Sequence, residues 1–163
     1  MISRDAARRV VVQVDSAYER GQLAAPYRPS RRYPELAPVV VSGATNSTYD
    51  AIRNLLRMWN AEDGDYQNTG FSPLSMHIEP GMRVAIKPNL VVHTHPDGDA
   101  AMRGTVTDAA VLRAILDYVG LALRGSGTIT IAESPIRETD FDAVVRWTGL
   151  DRVLDDIAST WGI

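Results

Sequence analysis

The chain contains no cysteine. That excludes disulfides, thiolate zinc sites, a cysteine nucleophile and any cysteine-ligated iron–sulfur cluster within these 163 residues. No apolar run approaches the roughly 20 residues of a membrane span, and the N-terminus lacks an apolar signal core. The expected compartment is therefore the cytoplasm, and no membrane partner is expected. Lysine is almost missing too: of the 17 basic residues only Lys87 is Lys, and the rest are Arg. An ammonium is a compact point charge whose pKa moves on burial, unlike a guanidinium. Lys87 is therefore singled out, although Arg-favouring coding alone could leave one lysine. The chain also lacks a Gly-x-Gly-x-x-Gly loop, a Walker loop and a His-Glu-x-x-His helix. Its one dense glycine cluster, Gly125-Ser126-Gly127, ends a helical pattern rather than opening one, so it reads as a turn.

What remains is globular in composition, at 45% hydrophobic and 23% charged. A domain of this length buries roughly 70% of its unfolded surface, enough for a real core. Charge is uneven. Residues 1–32 hold seven Arg against Asp5, Asp15 and Glu19, a local net of +4. A basic arm can meet nucleic acid. Tyr18, Tyr27 and Tyr33 make no stacking motif, however, so nucleic acid is not the expected partner. Pro26–Pro38 has four prolines in thirteen residues and reads as an extended connection. The domain reading is thus a basic, proline-rich extension over 1–38 and an α/β domain over 39–163.

From Val39 the pattern alternates strand and helix. Val39–Ser42, Arg83–Ile86 and Thr128–Ala132 read as strands, and Val10–Val14 is a fourth β-prone run. Ile52, Leu55, Leu56 and Trp59 make one face of a helix, with Asp50, Arg53 and Arg57 on its wet side. His93–Gly104 reads as a polar loop. Ala109–Arg124 is a helix so apolar that it should be largely buried against a sheet. Asp140 caps a further helix, and Gly149 separates the last one. The expected fold is a three-layer α/β arrangement with a mostly parallel sheet and helices on both faces. It is expected to be incomplete, because three or four strands are few for a doubly wound sheet and the chain stops after a helix.

Ligands of open parallel sheets bind outside the carboxyl ends of the strands. That rule selects Gly43–Asn46, Lys87–His93 and Glu133–Pro135. Lys87 would hold negative charge and Asn89 would orient an anionic or carbonyl-bearing ligand. The alternative is a snorkelling Lys and an Asx-turn Asn. Glu133 would act as acid/base or ligand, or be a plain polar strand end, and Ser134 adjoins it. Thr107 and Asp108 start the long helix, where N–H groups and a hydroxyl could donate to an anion. An ordinary Thr or Asp cap reads equally well. His93 and His95, with Asp97 and Asp99, carry metal-ligand chemistry. His at i and i+2 of an extended segment point apart, and Pro96-Asp97-Gly98 is also an ordinary turn.

Three segments in order carry a family resemblance. Gly81-Met82-Arg83-Val84-Ala85-Ile86-Lys87-Pro88-Asn89-Leu90-Val91 resembles the hallmark of the family called domain of unknown function 362. Thr107–Ile115 is similar to its threonine-led helix, and Gly127–Pro135 to its Gly-strand-(Asp/Glu)-Ser/Ala-Pro segment. The resemblance spans about Val39 to Leu150. It implies an α/β fold distantly similar to that of nickel-pincer lactate racemases and no established reaction. Some relatives carry iron–sulfur segments, which this cysteine-free chain cannot; any other cofactor is unknown. Members are usually about twice this long, so the chain is expected to be an N-terminal half. Three functions stay open: a small-ligand site at Lys87, Asn89 and Glu133; a partial domain completed by a partner or a second copy; and a metal site at His93 and His95.

Overall fold

A computed structural model of the chain describes residues 23–59 and 70–163. The Val10–Val14 run lies outside the described residues. Among the described residues five α-helices and two strands follow in order: α1 (Ser47–Trp59), β1 (Arg83–Ile86), α2 (Asp99–Thr105), α3 (Ala109–Leu123), β2 (Thr128–Ile131), α4 (Phe141–Thr148) and α5 (Leu150–Trp161). The strands pair in parallel, with Arg83 opposite Thr128 and Ile86 opposite Ile131. The fold is α/β, with the α2–α3 segment as the crossover between the strands.

α3 is the spine. Asp108 caps its first turn by accepting from the Ala110 N–H at 2.8 Å. Arg124 closes it in a left-handed conformation, its N–H donating to the Gly120 carbonyl. One side of α3, through Leu112 and Leu116, meets Leu90, Val144, Leu150, Val153 and Ile157, with Ile86, Ile129 and Ile131 of the sheet packed on this cluster. The other side, through Ala114 and Tyr118, meets Tyr33, Leu36, Val39, Tyr49 and Leu56.

Several expectations change. Among the described residues the sheet has two strands, and helices cover one face. Arg83, Ala85, Thr128 and Thr130 on the other face are exposed. The expected helical layer on that face is therefore not seen among these residues. Val39–Ser42 is irregular rather than a strand. The Val39 N–H turns back to the Leu36 carbonyl and the Ser42 N–H to that of Pro29, so neither donor enters a ladder. His93–Gly104 is not all loop, since Asp99–Thr105 forms α2.

Arg53 of α1, expected on the wet side, and the polar residues of α3 face inward. Arg53 is buried and makes two hydrogen bonds to Glu35, at 2.7 and 3.1 Å. Tyr118 donates to the same carboxylate at 2.8 Å. Glu35 sits in a short 3-10 turn, Pro34–Leu36, so the proline-rich stretch is fastened into the body. Arg113 and Asp117 are 0% exposed. Asp117 accepts from Arg113 Nε at 2.8 Å, Tyr49 Oη at 2.6 Å and Trp161 Nε1 at 2.9 Å. Arg113 also reaches Asp156 of α5, which pairs with Arg28 as well. Apolar patterning cannot show this, because a paired buried charge and a solvated one look alike in sequence.

Gly120 marks where α5 closes onto α3. A Cβ there would lie 2.6 Å from Trp161 Cγ. In an open helix Gly→Ala would stabilise by about 1 kcal/mol. Overpacking of this kind costs about 1–3 kcal/mol, so the clash is expected to win. Gly120→Ala is therefore expected to lower the urea unfolding midpoint, and a Trp161→Ala background is expected to abolish that loss. An unchanged or raised midpoint in Gly120→Ala would contradict the packing.

Candidate functional site at the strand ends

Parallel pairing carries both strands to one end. The Ala132 N–H donates to the Ile86 carbonyl at 2.9 Å, one step beyond the ladder. Lys87 directly follows β1 and Glu133 lies two residues past the end of β2, so the aligned strands deliver both residues to the same end. Lys87 Nζ lies 2.8 Å from Glu133 Oε1. The Glu133 side chain is 1% exposed and that of Lys87 is 67% exposed, so the carboxylate is roofed and the ammonium faces outward.

Glu133 has further donors. Oε1 accepts from the Ser134 N–H at 2.7 Å, and Oε2 from the Leu90 N–H at 3.0 Å. The hydrogen bond from Lys87, then those from Leu90 and Ser134, hold its pKa below the usual carboxylate range. A carboxylate so stabilised is a weak general base near neutral pH. Its arrangement suits holding charge and tying two loops more than moving protons.

Asn89 is fastened on every backbone side. Its N–H donates to Thr107 Oγ1 and its carbonyl accepts from the Thr107 N–H, each at 2.8 Å. Its Nδ2 donates to the Thr105 carbonyl at 2.7 Å. The Thr107 N–H is thus occupied. The Thr107 hydroxyl, which accepts from Asn89, still carries its own proton. Asp108 serves as the α3 cap, and Ser134 is exposed.

The histidines sit apart from this cluster. His93 Nδ1 accepts from the Asp140 N–H, and His95 Nδ1 from the Asp97 N–H, both at 3.1 Å. His93 thereby joins a strap between the two strand-end loops. In that strap the Thr139 hydroxyl and the Ile136 N–H both donate to the Val91 carbonyl, at 2.7 and 3.2 Å. Among the described residues no three His, Asp or Glu side chains converge as metal ligands. No helix there is long and apolar enough to cross a membrane.

The Ile86–Asn89 turn, the Thr107 helix start and the Glu133–Pro135 segment, now seen as one interlocked unit, carry a family signature. Residues 84–160 match the family model described as "Domain of unknown function (DUF362)". This segment belongs to the domain of unknown function 362 family. The DUF362 segment contains every candidate residue named above and leaves Gly43–Asn46 outside it. No curated protein and no solved structure matches the chain, so the expected likeness to lactate racemases finds no support in these comparisons.

Sequence reasoning missed the Arg103 and Trp147 side chains, which border Thr107 and Asp108 from α2 and α4. Arg103 stood in what read as loop, and Trp147 on a helix face without periodic meaning. Neither position carried a local signal.

The pKa of Glu133 gives a pH test. A carboxylate with a lowered folded-state pKa stabilises above its unfolded pKa, and this is lost as pH falls through the folded value. Glu133→Gln is expected to be less stable than wild type near neutral pH. The gap is expected to close as pH falls below the ordinary glutamate value of 4.5. Urea midpoints of both proteins across that range check it; a gap independent of pH would contradict the ionised clasp.

Proposed function

We propose that the DUF362 segment binds a small anionic or carbonyl-bearing ligand at the carboxyl ends of β1 and β2. The observation that supports this most is the outward-facing Lys87 ammonium anchored on a roofed carboxylate. An ammonium has three donors, and Glu133 takes one of them. The remainder point away from the body, at the place where open parallel sheets bind ligands. Lys87 holds the charge or carbonyl oxygen. Glu133 fixes the Lys87 stem and keeps the local charge near zero, which favours a small ligand over a polyanion. Asn89 shapes the turn, with Thr107 Oγ–H and Ser134 beside it as further donors.

The single lysine makes a direct test possible. Selective 13Cε labelling of lysine yields one resonance from the whole chain, that of Lys87. Titration with sodium oxalate is expected to shift it saturably, with a Kd near or below about 1 mM. Sodium chloride at matched ionic strength is expected to shift it little. Equal shifts by oxalate and chloride, with no saturation, would overturn the reading.

A second reading rests on the sheet. Parallel sheets are normally covered on both faces. Here Arg83, Ala85, Thr128 and Thr130 are exposed on one face. The segment would then be a non-catalytic unit completed by a partner or a second copy. Sedimentation and urea unfolding separate the two: a monodisperse monomer with one cooperative transition would contradict this second reading.

A further inference from the structure

A cleft of about 220 Å³ opens between α2, the start of α3 and the end of α4. Its walls include Tyr27, Arg103, Val106, Thr107, Asp108 and Trp147. Tyr27 is held by donating its hydroxyl to the Thr148 carbonyl at 2.8 Å, so one aromatic wall is fixed to the end of α4. Trp147, on the same turn of α4, carries the Arg103 guanidinium over its ring, 5.7 Å from the centroid. Arg103 is half-buried and has no carboxylate partner within salt-bridge distance among the described residues. It differs in this from Arg28, Arg31, Arg53 and Arg113, each of which is paired.

We propose that this cleft binds a small monocarboxylate with a single flat apolar ring. The reading goes beyond the Lys87 site and does not depend on it. A guanidinium stacked on an indole leaves its in-plane N–H edge open, and that edge matches a carboxylate in bidentate fashion. Tyr27, Trp147 and Val106 supply an apolar slot for a flat body. The volume lies at or below the lower end of ligand pockets, which limits the occupant to about one ring. Asp108 decides the charge. Among the described lining residues Arg103 is the one cation, and the Asp108 carboxylate lining the same cleft disfavours a second negative charge on the occupant.

Three isosteric probes separate these elements: benzoate, neutral benzamide and dianionic phenyl phosphate. The readout is the indole N–H resonance of Trp147, identified by its loss in Trp147→Phe. Benzoate is expected to shift it saturably with a Kd near or below about 1 mM. Benzamide and phenyl phosphate are each expected to bind at least about tenfold more weakly. Arg103→Met is expected to weaken benzoate by about tenfold or more, and Lys87→Met is expected to leave it unchanged. The proposal is overturned if benzoate produces no saturable shift, or if either isostere binds as well. It is also overturned if Arg103→Met binds normally, or if Lys87→Met abolishes binding, which would move the ligand to the strand-end ion pair. The wild-type comparison of probes stands even if Arg103→Met does not fold.

Discussion

The fold is organised around one buried ion pair, Arg113–Asp117, in the middle of α3. Two full charges lie at zero exposure. Desolvation of each ion is severe, so the pair is tolerable only if its remaining donors and acceptors are filled. They are filled by four residues from three other parts of the chain. Tyr49 comes from α1, Trp161 and Asp156 from α5, and the Pro26 carbonyl from the N-terminal segment. Burial drives the Tyr49 hydroxyl well above its ordinary pKa, with Asp117 adding to it, so this phenol stays a donor. Each partner is thus required by the pair, and the pair fixes where each partner's element must lie.

The candidate sites inherit that constraint. α3 begins at Asp108 and Thr107, and Thr107 zips to Asn89 just past β1. β2 follows α3 through a short turn and leads on to Glu133, which reaches back to Leu90 and Lys87. A crossover locked in the middle therefore sets both strand ends in register. The Arg103–Trp147 cleft sits at the same end of α3, between α2 and α4. The positions of both sites follow from how the first turn of one helix is held.

Much of this was legible from the residues. The Arg83–Ile86 and Thr128–Ile131 strands, the α3 span and the Asp140 and Gly149 boundaries followed from apolar period and cap chemistry. The Lys87–Glu133 encounter followed from the rule that parallel strands end together. Other features had no local signature. Arg53 read as solvated because its partner, Glu35, lies in another segment, 18 residues away in sequence. Val39–Ser42 has strand composition, but its donors turn back to Leu36 and Pro29. The inward-facing Glu35 likewise hides in a proline-rich stretch whose composition suggests only a connection. Long-range pairing, not propensity, decided each of these cases.

The most direct measurement of the central claim is native-state hydrogen exchange of the Arg113 Nε–H. Protons that open only with the whole structure report the global unfolding free energy. If α3 is locked by this pair, the Arg113 Nε–H is expected to exchange with the same free energy as the slowest α3 amides and as urea unfolding. Exchange through a much cheaper local opening, with the α3 amides still protected, would contradict it.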